Sequence, residues 1–199
     1  MSDLWMPYIV TNFNGQNQIV SILDYEREKD RVLHINGEID DFMAQILTAQ
    51  IRYLESKSGD DITLMINSPG GSVSAGLAIV DAMENSACDI STIGTGMVAS
   101  MAAVLLALGA KGKRFITKNA FVMIHQPVNT NVGGQCTDIR IQSEYLCYVK
   151  EKIAGILAKQ CDQRIGKLER DMERDFYMSA EKAIRYGIAD AIYIGDPKL

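Results

Sequence analysis

Histidine is nearly absent from this 199-residue chain, which has only His34 and His125. Any mechanism in which an imidazole moves a proton therefore has two candidates. Cysteine is sparse as well. Cys88, Cys136, Cys147 and Cys161 are scattered, with no CxxC pair and no histidine at metal-ligand spacing. That argues against a disulfide framework or a zinc site and fits a reducing cytoplasm. There is no basic excess: 20 Lys and Arg against 25 Asp and Glu leave a net charge of −5, so no field attracts nucleic acid or an anionic membrane. No basic residue precedes Arg27, and a secretory signal would need a charged n-region there. The longest apolar stretch, residues 97–110, is broken by Gly, Ser and Ala and is shorter than the roughly 20 residues that span a bilayer. No G-x-x-x-x-G-K-[ST] phosphate loop occurs, so no nucleotide cofactor, and no other, is expected.

What remains is 47% apolar and 23% charged, the profile of a soluble domain with a substantial core. Residues 1–20 are polar and rich in Asn and Gln, which reads as an N-terminal arm, flexible or edge-forming, rather than core. "RVLHI" (31–35) reads as a strand. Phe42, Ile46, Leu47, Ile51 and Leu54 then recur at helical spacing. "ITLMIN" (62–67) is a short buried strand ending at the breaker "SPGG", followed by a helix from Ser72 to Glu84 and a strand "DISTIG" (89–94). After the loop "GTGMVAS" comes a small-residue helix from Ser100, then the strand-like "KRFIT" and "AFVMIHQP". This alternation predicts an α/β protein with a parallel sheet, whose chemistry collects at the carboxyl ends of strands. A polar loop (128–135) leads into a long helix, about 137–160, carrying the stripe Ile139, Leu146, Val149, Ile153 and Leu157. That stripe either packs back on its own sheet or takes a partner helix from another subunit. A short helix, a strand "FYM", a helix capped by Ser179 and a last strand "AIYI" close the chain.

Four side chains stand out chemically. Ser100 heads an apolar helix, as either an N-cap or a nucleophile beside the unpaired first-turn N–H of Met101. The Gly70–Gly71 turn offers more N–H groups without side-chain obstruction. His125 ends an apolar strand just before Gln-Pro, as a structural residue or as a base facing a cleft; His34, in mid-strand, reads as structural. "LERDMERDFYMSA" supplies two carboxylates, Asp171 in what reads as a solvated helix and Asp175 at a helix-to-strand junction. A nucleophilic serine needs a base, an orienting carboxylate and oxyanion donors.

"INSPGGSVSAGLAI", "GMVASMAAVLLALGAKGKRF", "VMIHQP" and "ERDFYMSAEKAIRYGIAD" together resemble the ClpP family, the proteolytic subunit of the Clp protease, over residues 31–192. The resemblance implies a crotonase-type spiral fold with a protruding handle. It divides the chain into an N-terminal arm (1–30), a head (31–127 and 161–199) and the handle (128–160). It also implies a serine endopeptidase with Ser100 as nucleophile, His125 as base, Asp175 orienting it, and Gly71 and Met101 as backbone oxyanion donors. Gln135, Asp138 and Arg174 match the positions that couple ring contact to the triad, and no metal is implied. The family forms two stacked seven-membered rings of identical subunits, fed with unfolded polypeptide by an AAA+ ATPase. This chain departs from the family pattern at Glu26, Arg27 and Glu28 and in the Asn-rich loop before the handle helix. The rival readings are a non-catalytic ring subunit, a stand-alone peptidase, and a crotonase-type acyl-CoA enzyme.

Overall fold

The first described elements form a hairpin. Strands β1 (Tyr8–Phe13) and β2 (Gln16–Ser21) pair antiparallel, from Tyr8 opposite Ser21 to Phe13 opposite Gln16, as a two-stranded sheet of their own. The structure, a computed structural model, describes residues 7–13, 15–129 and 133–195. Residues 1–6 and 14 of the expected arm, 130–132 of the expected handle loop and 196–199 of the expected head lie outside them. Helix α1 (Ile22–Asp30) follows, capped by the Ser21 hydroxyl, which accepts from the Asp24 N–H at 3.1 Å. It buries no residue, so apolar periodicity carries no trace of it. One tie to the body is His34 Nε2, 2.8 Å from Glu26 Oε2.

The main sheet then forms as the alternation predicts. In chain order the elements are β3 (Val32–Asn36), α2 (Asp41–Glu55), β4 (Ile62–Ser68), α3 (Val73–Glu84), β5 (Ile90–Ala99), α4 (Met101–Leu108), β6 (Arg114–Ile116) and β7 (Phe121–Ile124). After these come α5 (Cys136–Cys161), α6 (Ile165–Asp171), β8 (Phe176–Ser179), α7 (Ala180–Tyr186) and β9 (Ala191–Ile192). The seven-stranded sheet runs β3-β4-β5-β6-β9, with β7 joining β5 and β8 joining β7. Every pairing in it is parallel except β7 with β8.

Strand β5 is longer than expected. The segment read as a loop, "GTGMVAS", is strand as far as Ala99. Its first half pairs with β6 through Thr92–Gly94, and its second with β7 through Met97–Ala99. The switch falls at Gly94–Gly96, where Gly96 takes φ +54°, a conformation costly for a residue with a Cβ. The glycines that looked like a breaker are the bend at which one strand changes partner.

The helix stripes also fall differently from the apolar spacing. On α2 the buried residues are Ala44, Leu47, Ile51 and Leu54, while Phe42 and Ile46 lie on the outer face, 69% and 41% exposed. On α5, Val149, Ile153 and Leu157 enter the core, but Ile139 is exposed and Leu146 half-buried. The N-terminal half of α5 presents a further exposed row, Ile141, Tyr145 and Tyr148. Helix α4 sits at the centre, with all eight of its residues buried.

One buried cation ties the carboxyl-terminal elements together. Arg114, 3% exposed, forms an ion pair with Asp190 through its terminal nitrogen and donates from Nε at 2.9 Å. It also donates to the carbonyls of Ala107 (3.2 Å), Gln160 (3.0 Å) and Gly187 (2.8 Å), at the ends of α4, α5 and α7. Burial pushes the Asp190 carboxyl up, but bonds from Arg114 and the Gly112 N–H outweigh it and hold the group below the ordinary aspartate range. A depressed carboxyl contributes stability that is present above its unfolded value of about 3.9 and is lost as pH falls through the folded value. Arg114→Leu is expected to destabilise the fold by about 3–5 kcal/mol, because it leaves a carboxylate and three carbonyls short of a donor. A thermal melt at fixed protein concentration checks this. It should also show less acid sensitivity below about pH 5 than the parent.

Candidate active site

Ser100 stands immediately after the carboxyl end of β5 and before the first residue of α4. Its backbone is tied on both sides. The N–H donates to the Met123 carbonyl of β7 at 2.8 Å, while its own carbonyl accepts from the N–H groups of Ala103 and Val104. Held this way it takes φ +56° and ψ −124°, a region that costs a residue other than glycine about 1–3 kcal/mol. Its side chain makes no capping bond to α4, contrary to the N-cap reading. The hydroxyl points elsewhere: Oγ lies 2.9 Å from His125 Nε2.

His125 follows the last residue of β7, and its side chain is 22% exposed. The other ring nitrogen, Nδ1, lies 3.5 Å from Asp175 Oδ1. Register explains this meeting of residues far apart in sequence. In the antiparallel β7–β8 ladder the last pair is Ile124 opposite Phe176. Continued one step, the same register sets His125 opposite Asp175. The carboxylate is more open than the ring, with 57% of its side chain exposed.

Asp171, the other candidate carboxylate, is engaged elsewhere. It accepts from Lys167 Nζ at 2.9 Å and from the Tyr186 hydroxyl at 2.8 Å. Burial pushes its carboxyl up, and these two bonds more than reverse that, leaving it below its usual range. It is thus a partly buried brace between α6 and α7, not a solvated position.

The Gly70–Gly71 turn lies against Ser100. A Cβ built on Gly70 would fall 2.7 Å from both the Ala99 carbonyl and Ser100 Cβ, and 3.0 Å from the Met101 nitrogen. A Cβ on Gly71 would fall 2.2 Å from the Ile39 carbonyl. Glycine is therefore required at both positions by close backbone approach. The turn is fixed by Ile39 N–H donating to the Gly70 carbonyl and Ser72 N–H donating to the Ile39 carbonyl, each at 2.8 Å. The N–H groups of Gly71 and Met101 have no acceptor among the described residues.

Beside Ser100 and His125 lies a cavity of about 20 Å³, lined among others by Val73, Met101, Val104, Ile124, Ile153 and Leu157. Part of the α5 stripe therefore walls the site; periodicity alone gave Ile153 and Leu157 no link to Ser100. Gln135 and Asp138 meet at the start of α5, where the Gln135 N–H donates to Asp138 Oδ2 at 3.1 Å. Arg174 is 87% exposed at its side chain and donates to the Glu173 carbonyl at 3.0 Å, and it bonds to neither of them. Among the described residues no group of three or more His, Cys, Asp or Glu is arranged to hold a metal ion, and no helix is long and apolar enough to cross a membrane.

Fold and contacts together define an α/β protein whose mostly parallel sheet brings a strained serine against a histidine at its strand ends. A family model for Clp protease matches residues 15–195 of the 199-residue chain. The chain belongs to the Clp protease family, whose ClpP-type members are peptidases.

Proposed function

We propose that the protein is a serine endopeptidase that cuts unfolded polypeptides to short peptides inside an oligomeric barrel. The observation that carries this reading is the 2.9 Å contact from Ser100 Oγ to His125 Nε2, made by a serine in a strained backbone conformation. In the proposed reaction Ser100 Oγ attacks the scissile carbonyl and its proton passes to His125 Nε2. The oxyanion is received by the N–H groups of Gly71 and Met101, the latter at the positive end of α4. His125 then gives its proton to the leaving amine, and the C–N bond breaks to leave an acyl group on Ser100. Water, deprotonated by the same imidazole, releases the acyl group and regenerates the serine. Asp175 holds Nδ1–H and favours the imidazolium formed midway. Acidification must abolish activity, since a protonated ring accepts nothing.

The assembly we propose is two stacked seven-membered rings of this chain. The Ile141–Tyr145–Tyr148 row and Gln135, Asp138 and Arg174 are exposed or half-free on the protomer, as ring-to-ring contacts would need. An AAA+ ATPase supplies unfolded chain, and the site is proposed to work in a reducing cytoplasm without a cofactor of its own. The purified protein is expected to run at roughly fourteen subunits, to cleave short fluorogenic peptides unaided, and to degrade a folded, tagged protein only with the ATPase and ATP. Degradation of the folded protein without the ATPase would replace this reading with a stand-alone peptidase. A full-size particle that cleaves nothing would replace it with a non-catalytic ring subunit.

A further inference from the structure

The register that brings His125 to Asp175 also shows where their alignment is weakest. Their pair lies one step past the last pair of the β7–β8 ladder. Asp175 is half exposed, and its only bond or ion pair among the described residues is the 3.5 Å approach to Nδ1, longer than an ordinary N–H···O bond. Something other than the carboxylate itself must fix the segment that carries it.

Gln126, next in sequence to the histidine, ties the two segments together beyond the ladder's last pair. Its backbone N–H donates to the Met172 carbonyl at 2.7 Å, and its side-chain Nε2 donates to the Glu173 carbonyl at 3.1 Å. One residue thus grips two consecutive carbonyls just ahead of Asp175. The Met172 end is firm, because that side chain is 1% exposed and its N–H is bonded to the Leu168 carbonyl at 2.8 Å. Lys150 Nζ of α5 holds Glu173 from the other side, 3.1 Å from Oε2, and this bond keeps the Glu173 carboxyl below its ordinary range. Arg174 also donates to the Glu173 carbonyl, but it belongs to the same segment and ties it to nothing else.

We propose that Gln126 is a positioning residue, whose side-chain amide sets the distance between Asp175 and His125 by clamping the carboxylate's segment to the base's segment. The proposal rests on the peptidase reading above. Misplacing a catalytic group by about 1 Å costs up to ~10²-fold, and loss of one of the two clamps is expected to cost about tenfold.

The test uses the purified, assembled protein and measures kcat, KM and the rate of labelling by a fluorophosphonate. Gln126→Ala and Gln126→Glu both remove the donor, and the second keeps the volume while setting a carboxylate against a carbonyl. Each is expected to lower kcat and the labelling rate about tenfold with KM changed less than about twofold. In an Asp175→Asn background the same changes are expected to cost less than about twofold, because they act only through that carboxylate. A full tenfold loss in that background, or parental kinetics in Gln126→Glu, would overturn the proposal. Should Gln126→Ala melt early, Gln126→Glu decides. If the parent protein itself is not labelled at Ser100, the peptidase reading fails and takes this inference with it, an outcome distinct from a labelled parent with unaffected variants.

Discussion

Ser100→Ala is expected to abolish peptide hydrolysis, with kcat falling on the order of 10⁶-fold while the particle keeps its size. The size of the effect follows from the absence of any substitute. Ser72 and Ser74 bond each other at 3.0 Å, and Ser68 holds the Gly70 N–H, also at 3.0 Å, so the nearby hydroxyls of the turn and of α3 are engaged away from His125. The substitution should not harm folding. It removes an oxygen bonded to the imidazole, and the backbone bonds to Met123, Ala103 and Val104 do not depend on the side chain. Alanine must still adopt φ +56°, so the strain is retained rather than relieved. The check is a fluorogenic peptide assay on size-matched fractions of both proteins. Activity within tenfold of the parent would remove Ser100 from the reaction.

Asp175→Asn carries the second large effect, a fall on the order of 10³-fold in kcat. The amide cannot stabilise an imidazolium, and it offers Nδ1 a donor or a neutral acceptor where a charge is needed. The loss should be smaller than the ~10⁴-fold seen where the orienting carboxylate is buried, because Asp175 is 57% exposed and 3.5 Å from the ring. Asp171→Asn is the matched control. Its carboxylate is turned to Lys167 and Tyr186, so that change should alter kcat by less than about twofold and register mainly as lost stability. Equal losses in the two variants would show that the orienting carboxylate has been misassigned.

These two carboxylates also show what could be read from the sequence. Both stand in the repeat "ERDMERD", and composition cannot separate them. The helix-to-strand junction favoured Asp175 and the motif resemblance matched it; what brings it to His125 is a ladder register between segments 50 residues apart, which no local pattern encodes. Elements with strong apolar alternation or helical spacing, such as β3, β4 and α2, were legible. The hairpin and α1 were not, since neither needs a buried stripe: Tyr8, Val10 and Ile19 are exposed and α1 buries nothing. The second half of β5 was hidden by glycines that read as loop and instead allow the strand to change partner. Phe42 and Ile46 were misread because spacing marks a stripe without saying which edge of it meets the core. At Ser100 local pattern left two readings open, since a serine before a helix is usually its cap; here the side chain makes no capping bond and the hydroxyl faces a histidine.

The proposed role of Ser100 is that of a nucleophile activated by His125. It is tested most directly by treating the assembled protein with a fluorophosphonate and mapping the modified peptide by mass spectrometry. One adduct is expected, on Ser100, lost in a His125→Ala variant of the same particle size. An intact particle with no adduct, or with an adduct on another residue, would contradict it.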